Sequence, residues 1–207
     1  MSISVDMTRY AEEIKAYEQY PTETGKILLY GSSFLRNWGF DRARHQWNHY
    51  GDLDVLNHGF GGAVVEEMLY YYDRMVLPCK PSAVVLRPGH NDLSLGLSPE
   101  ETWALTEQLI VRLRTDWPKL PIVLLQVFDT KRFHNAKRIA LNTKYNQLML
   151  DFATDHPGIY AVDLDPFFQD ETGKLRDIFI EDGLHLTDEG YEEVAAWLAP
   201  RVRKLLR

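Results

Sequence analysis

Cysteine is nearly missing from this chain. Cys79 stands alone among 207 residues, so no intrachain disulfide can form. It sits between Pro78 and Lys80 with no thiol near it, which reads as a structural position rather than a reactive one. Long apolar runs are missing too. No segment approaches the roughly 20 apolar residues of a membrane span, so no membrane partner is expected. Residues 1–20 lack the apolar stretch of a secretory signal and carry Asp6, Glu12, Glu13 and Glu18, so the expected location is cytoplasmic. A basic excess is absent: 23 Lys and Arg against 30 Asp and Glu give a net charge of −7, which argues against a nucleic-acid partner. The basic residues near the end, Arg201, Arg203, Lys204 and Arg207, suit the carboxyl end of a helix. Repeats, low-complexity tracts and linkers do not occur. One domain is therefore expected over residues 1–207, a length that permits a real core.

What the chain does have is a regular alternation of apolar runs and helical patterns. Ile27 to Tyr30 is a short apolar run ending at Gly31, as in a strand buried on both faces, with Gly31 allowing a sharp turn. Similar runs occupy residues 53–58, 82–88, 121–127 and 159–164. Between them lie helical signals. Residues 5–19 carry a thin apolar stripe, and residues 34–49 suggest a helix with a break near Gly39 and Asp41. Helical spacing restarts at Val64. Ser98, Pro99 and Glu101 announce another helix by a capping box, and a long one precedes Pro157. Thr187 suits the cap of a last helix, in which Val194, Trp197, Leu198, Val202 and Leu205 form an apolar stripe and Pro200 predicts a kink. Five strands alternating with helices predict an α/β fold: a parallel sheet with helices on both faces.

In such a sheet, ligands bind at the carboxyl ends of the strands. Polar clusters gather there: Ser32 and Ser33 after the first strand, Gly59 to Gly62 after the second, and Gly89-His90-Asn91-Asp92 after the third. Asp182 and His185 stand three apart before the last helix. Alone, each has a plainer reading: a helix cap, a loop, a turn, a surface histidine. Together they supply what acyl transfer through serine requires. Ser provides the attacking oxygen, His moves its proton, a carboxylate orients the His, and backbone N–H groups with an Asn amide hold the oxyanion. The glycine cluster does not fit Gly-x-Gly-x-x-Gly, since Ala63 and Val64 follow Gly62, so a dinucleotide site is weakly supported and no cofactor is expected. His45 and His49 have the spacing of a zinc pair. Position 46 is Gln, however, rather than the Glu of His-Glu-x-x-His, so they read as solvated surface and no metal is expected.

These four blocks, in this order, resemble those of the SGNH hydrolases, the GDSL-type esterases and lipases. Tyr30-Gly31-Ser32-Ser33 resembles the block usually written Gly-Asp-Ser, with Ser33 at the nucleophile. Asn57-His58-Gly59-Phe60-Gly61-Gly62 resembles the second, whose last Gly, here Gly62, donates its N–H to the oxyanion. Gly89-His90-Asn91-Asp92 resembles Gly-x-Asn-Asp, with Asn91 as side-chain donor. Asp182-Gly183-Leu184-His185 matches Asp-x-x-His. The resemblance implies a flavodoxin-like three-layer α/β/α sandwich with a five-stranded parallel sheet. It also implies a Ser33–His185–Asp182 triad, an oxyanion hole of Ser33, Gly62 and Asn91, and hydrolysis of acyl esters without metal. Two departures stand out. Ser32 replaces the usual Asp, and Arg87-Pro88 precedes the third block, where it is expected to reshape the pocket wall beside Asn91.

The expected partner is a small-molecule ester with a short acyl group, acetyl above all, carried on an alcohol such as a sugar. No apolar insertion could form a lid over a lipid tail, and Arg87, His90, Asp92, Asp129, Lys131 and Arg132 would make a poor wall for an alkyl chain. The alternatives are a lysophospholipase or thioesterase acting on longer chains, and a non-catalytic sugar- or acyl-binding module on the same fold. A phosphoryl or sulfate hydrolase would want metal-binding carboxylates or a basic clamp, which the sequence does not display. Nothing in the pattern fixes an oligomeric state.

Overall fold

A computed structural model describes residues 5–38, 40–41, 46–47 and 53–207. In chain order the elements are α1 (Ala11–Glu18), β1 (Ile27–Gly31), α2 (Ser33–Asn37), β2 (Phe40–Asp41), β3 (Gln46–Trp47), β4 (Val55–Gly59), α3 (Val65–Met75) and β5 (Ala83–Arg87). There follow α4 (His90–Leu95), α5 (Pro99–Asp116), β6 (Ile122–Leu125), α6 (Ala136–Asp155), β7 (Ile159–Val162), α7 (Asp165–Phe168) and α8 (Asp188–Leu205). Five parallel strands form the sheet in the order β4-β1-β5-β6-β7. Numbered among themselves, these strands run 2-1-3-4-5, the flavodoxin order.

The strands obey their period of two. Leu28, Tyr30, Val84, Leu86, Ile122 and Leu124 face one core, against α1, α3, α5 and α6. Leu29, Val85, Val123 and Leu125 face the other, against α2, α7 and α8. Both faces of the sheet are therefore covered, which is why these runs read as continuously apolar. Each such side chain contributes about 1.5–3 kcal/mol on full burial. The chain leaves β1 toward β4 and then crosses back to β5, so a crevice opens at the carboxyl ends of β1 and β5. Gly31 ends β1 there. It is needed for space rather than for the sharp turn its sequence suggests: its φ is not positive, and a Cβ would lie 2.9 Å from the Arg87 carbonyl oxygen.

Two expectations need adjusting. The helix foreseen over 34–49 ends at Asn37. Trp38 is extended (ψ 104°), and its fully buried indole donates to the Tyr191 carbonyl at 2.9 Å, which draws the chain away from the helix axis. Beyond it, β2 and β3 continue the sheet antiparallel at the β4 edge. The first helix is shorter than foreseen, with a turn over residues 7–10 before it. Pro200, where the kink is expected, lies inside α8. No helix among the described residues is long and apolar enough to cross a membrane.

Candidate active site

Ser33 is the first residue of α2, so its N–H has no partner within the helix. The buried, extended Ser32 turns the chain from β1 into that helix (φ −101°, ψ −156°). Ser32 makes no side-chain cap to α2. The short helix is pinned at two points. The fully buried Asn57 amide donates to the Leu35 carbonyl at 2.8 Å, and the Trp38 indole fixes the far end to α8.

Asp182 and His185 form one tight turn. Asp182 Oδ1 accepts the N–H groups of Leu184 (2.8 Å) and His185 (2.9 Å), while Oδ2 lies 2.6 Å from His185 Nδ1. The turn is held in place by a bridge between Phe179 and Leu186 and by the Arg132 N–H, which donates to the Gly183 carbonyl. Thr187 Oγ1 then accepts from Gly190 N, capping α8. Burial raises the Asp182 pKa, but the bonds from His185 and Leu184 together outweigh it and hold the carboxyl below its ordinary value. An ionised carboxylate can only accept, so Nδ1 carries the imidazole proton and Nε2 presents its lone pair. That lone pair faces Ser33 Oγ at 2.9 Å. The two segments, 152 positions apart, thus meet in one chain of hydrogen bonds.

Gly62 and Asn91 come together through α4. Asn91 Nδ2 donates one proton to the Ala63 carbonyl at 2.9 Å, which leaves its second amide proton unused by that bond. Its neighbour Asp92, 1% exposed, accepts the Val65 N–H at 3.0 Å. Consecutive residues of α4 therefore clamp the Gly62 loop. Burial pushes the Asp92 carboxyl up to about 6, against the lowering effect of the Val65 bond. The Gly62 N–H itself is engaged: it donates to the Tyr10 hydroxyl at 2.8 Å.

Behind Asn91, burial first, and then the charges of Arg87 and Arg138, hold the buried His90 well below its ordinary pKa. Arg138 donates to the His90 carbonyl at 2.9 Å. Arg87, the first residue of the second departure, is buried rather than exposed. Its guanidinium is buried between the rings of Phe34 (4.4 Å) and Phe128 (4.6 Å), and burial lowers its pKa to about 9. His90, Asp92 and Asp129 are buried as well, so of the six residues expected to line a polar wall only Lys131 and Arg132 are exposed. Beside α4 lies a groove of about 450 Å³ with Leu93, Leu97, Phe133 and Leu141 among its lining.

Cys79 is buried, and burial pushes its thiol up to about 12. Among the described residues no group of three or more His, Cys, Asp or Glu could hold a metal. His45 and His49 lie outside the described residues. Sequence reasoning missed Tyr10, whose contact with Gly62 spans 52 positions and leaves no local signature. It also missed the clamping role of Asp92, although the Asn-Asp pair stood in the third block.

The strand order and the layers are those of the GDSL-type, or SGNH, hydrolase fold. The chain belongs to the GDSL-like Lipase/Acylhydrolase family, whose model it matches over residues 29–193. Solved structures agree in fold. A candidate platelet activating factor from Streptococcus pneumonia superposes with a TM-score of 0.78 at 18% identity, over 97% of this chain and 92% of that one. A candidate acylhydrolase from Bacteroides fragilis NCTC 9343 gives 0.76 at 17% identity, over 100% of both. An acetyl xylan esterase, AlAXEase, gives 0.65 at 19% identity, over 86% of this chain and 99% of that one. Comparison with curated proteins gives no match.

Proposed function

We propose that this chain hydrolyses carboxylic esters through an acyl-enzyme on Ser33. The observation that carries the reading is the continuous line from Asp182 through His185 to Ser33, with contacts of 2.6 and 2.9 Å. Ser33 Oγ attacks the ester carbonyl while His185 Nε2 takes its proton, and Asp182 stabilises the imidazolium that results. The carbonyl oxygen becomes an oxyanion, met by the Ser33 N–H, the free amide proton of Asn91 and the Gly62 corner. His185 then returns the proton to the departing alcohol. A water molecule repeats the sequence on the acyl-enzyme and frees the acid.

The acyl group we favour is short, with acetyl first, and the alcohol is a hydroxylated one such as a sugar. Support comes from the likeness in fold to an acetyl xylan esterase and from the exposed Lys131 and Arg132 on the loop behind His185. The groove beside α4, where Leu93, Leu97, Phe133 and Leu141 alternate with polar residues such as Glu101 and Arg138, is the feature behind a second reading, an enzyme for longer acyl chains. An acyl tunnel would gain about 0.8 kcal/mol per buried methylene, or roughly fourfold in kcat/KM for each carbon. Over p-nitrophenyl esters from acetyl to decanoyl, kcat/KM should peak at two to four carbons, with Ser33→Ala inactive throughout. A steady climb through the longer esters would make the groove an acyl site. Absence of turnover on every ester would favour a binding module.

A further inference from the structure

We infer that Tyr10 is a catalytic residue of this site, its hydroxyl resting on the Gly62 N–H and donating to the oxyanion in place of Gly62 itself. The inference depends on the acyl-transfer reading above. Gly62 has one amide proton, and it points at the Tyr10 oxygen from 2.8 Å. While that bond stands, Gly62 cannot also serve an oxyanion directly. The Tyr10 hydroxyl has a proton of its own, and among the described residues no protein acceptor takes it. A hydroxyl that accepts a hydrogen bond is polarised and becomes a better donor.

The placement of the groups supports a shared target. A methyl group built on Gly62 would lie 3.4 Å from the Tyr10 oxygen and 3.9 Å from Asn91 Nδ2. The hydroxyl and the amide thus border one small space that glycine leaves open, where a substrate oxygen could receive both.

A hydroxyl that merely blocked the site would have to move aside, and this one is anchored. Its ring lies directly over Gly61: with φ at +41°, a Cβ there would fall 2.0 Å from Tyr10 Cε1, so only glycine admits the ring. The ring meets Phe60 edge-on at 5.7 Å and lies under the Arg9 guanidinium at 4.7 Å. Arg9 forms a two-pronged pair (2.6 and 2.7 Å) with Glu67, which is fully buried and also accepts the Val64 N–H. On either side of Tyr10, Glu13 accepts the Gly61 N–H at 3.1 Å, and Tyr71 donates to the Met7 carbonyl at 2.7 Å. Swinging the hydroxyl out would break several of these contacts together. A donor built into the site accounts for them better than a plug does.

Tyr10→Phe removes the hydroxyl and keeps the ring. The expected result is a fall in kcat of about 10²-fold, the range for one lost oxyanion donor, with KM changed by less than about twofold. Affinity for a boronic acid that forms a tetrahedral adduct on Ser33 should fall by a similar factor, while inhibition by the product alcohol should not change. A kcat that is unchanged or increased would overturn the inference and make the hydroxyl a bystander or an occupant. Should Tyr10→Phe prove too unstable to assay, 3-fluorotyrosine in place of Tyr10 keeps the shape and strengthens the donor. It should raise kcat, and an unchanged kcat would again count against the role. Activity surviving in Ser33→Ala would refute the acyl-transfer reading itself. An inactive Ser33→Ala beside a fully active Tyr10→Phe would refute only the role of Tyr10.

Discussion

The two halves of the candidate site are built in different ways. The half that holds His185 is local: Asp182 reaches it over three residues, with two backbone bonds and one side-chain bond closing a single turn. The half that would hold the oxyanion is assembled from distant segments. Tyr10, Gly62 and Asn91 belong to three regions of the chain, joined by single hydrogen bonds that span 52 and 28 positions. A local turn keeps its geometry with little help from the rest of the fold. A non-local corner depends on every element that brings its pieces together, so it should respond to changes well away from the reacting atoms.

The largest effect should come from cutting the local half. Asp182→Asn leaves the turn's shape nearly intact but favours the wrong tautomer of His185, and should lower kcat by about 10⁴-fold. A loss of less than tenfold would show that the backbone bonds of the turn, rather than the carboxylate, orient the ring.

Cutting the non-local half should cost less. Asn91→Ala removes a single donor and should lower kcat by about 10²–10³-fold with little change in KM. It also removes the bond to Ala63, so its thermal midpoint should fall, and Asn91→Asp should restore neither activity nor stability, because a carboxylate cannot donate. If KM rose alone while kcat held, Asn91 would be a ground-state contact.

The division also explains what the sequence could show. Asp-x-x-His and the Ser98 capping box are short patterns whose residues act on their own neighbours: Asp182 meets His185, and Ser98 caps α5. The five strands were legible because burial on both faces leaves an unbroken apolar run. Tyr10 could not be found this way: it sits in a thin, polar stretch, and its partners Phe60, Gly61 and Gly62 come from the far end of β4. Arg87 misled for the opposite reason. A charge at a strand end suggests solvent, yet alternation placed it on the side of Val85, facing Phe34 and Phe128. The two-residue strands beyond Trp38 carry too short a pattern to separate from a broken helix.

The smallest effect concerns Asp92, which ties α4 to the chain just beyond the Gly62 loop. Its folded pKa, about 6, lies above the unfolded value near 3.8, so the folded protein binds the proton more tightly than the unfolded chain. This group's contribution to stability is therefore greatest at low pH and declines as pH rises through that window. Denaturation of wild type and Asp92→Asn at several pH values should isolate the term. The difference should move by roughly 1–3 kcal/mol in favour of the variant between pH 4 and 7. Parallel curves would mean that the carboxylate is fully stabilised in the folded protein.

The most direct test of the central claim is covalent. A fluorophosphonate probe should attach to the intact wild-type chain once, and peptide mass spectrometry should place the adduct on Ser33. His185→Ala, which removes the base 2.9 Å from that oxygen, should slow labelling by several powers of ten. Labelling on Ser32, or labelling of Ser33 at the same rate without His185, would contradict the account.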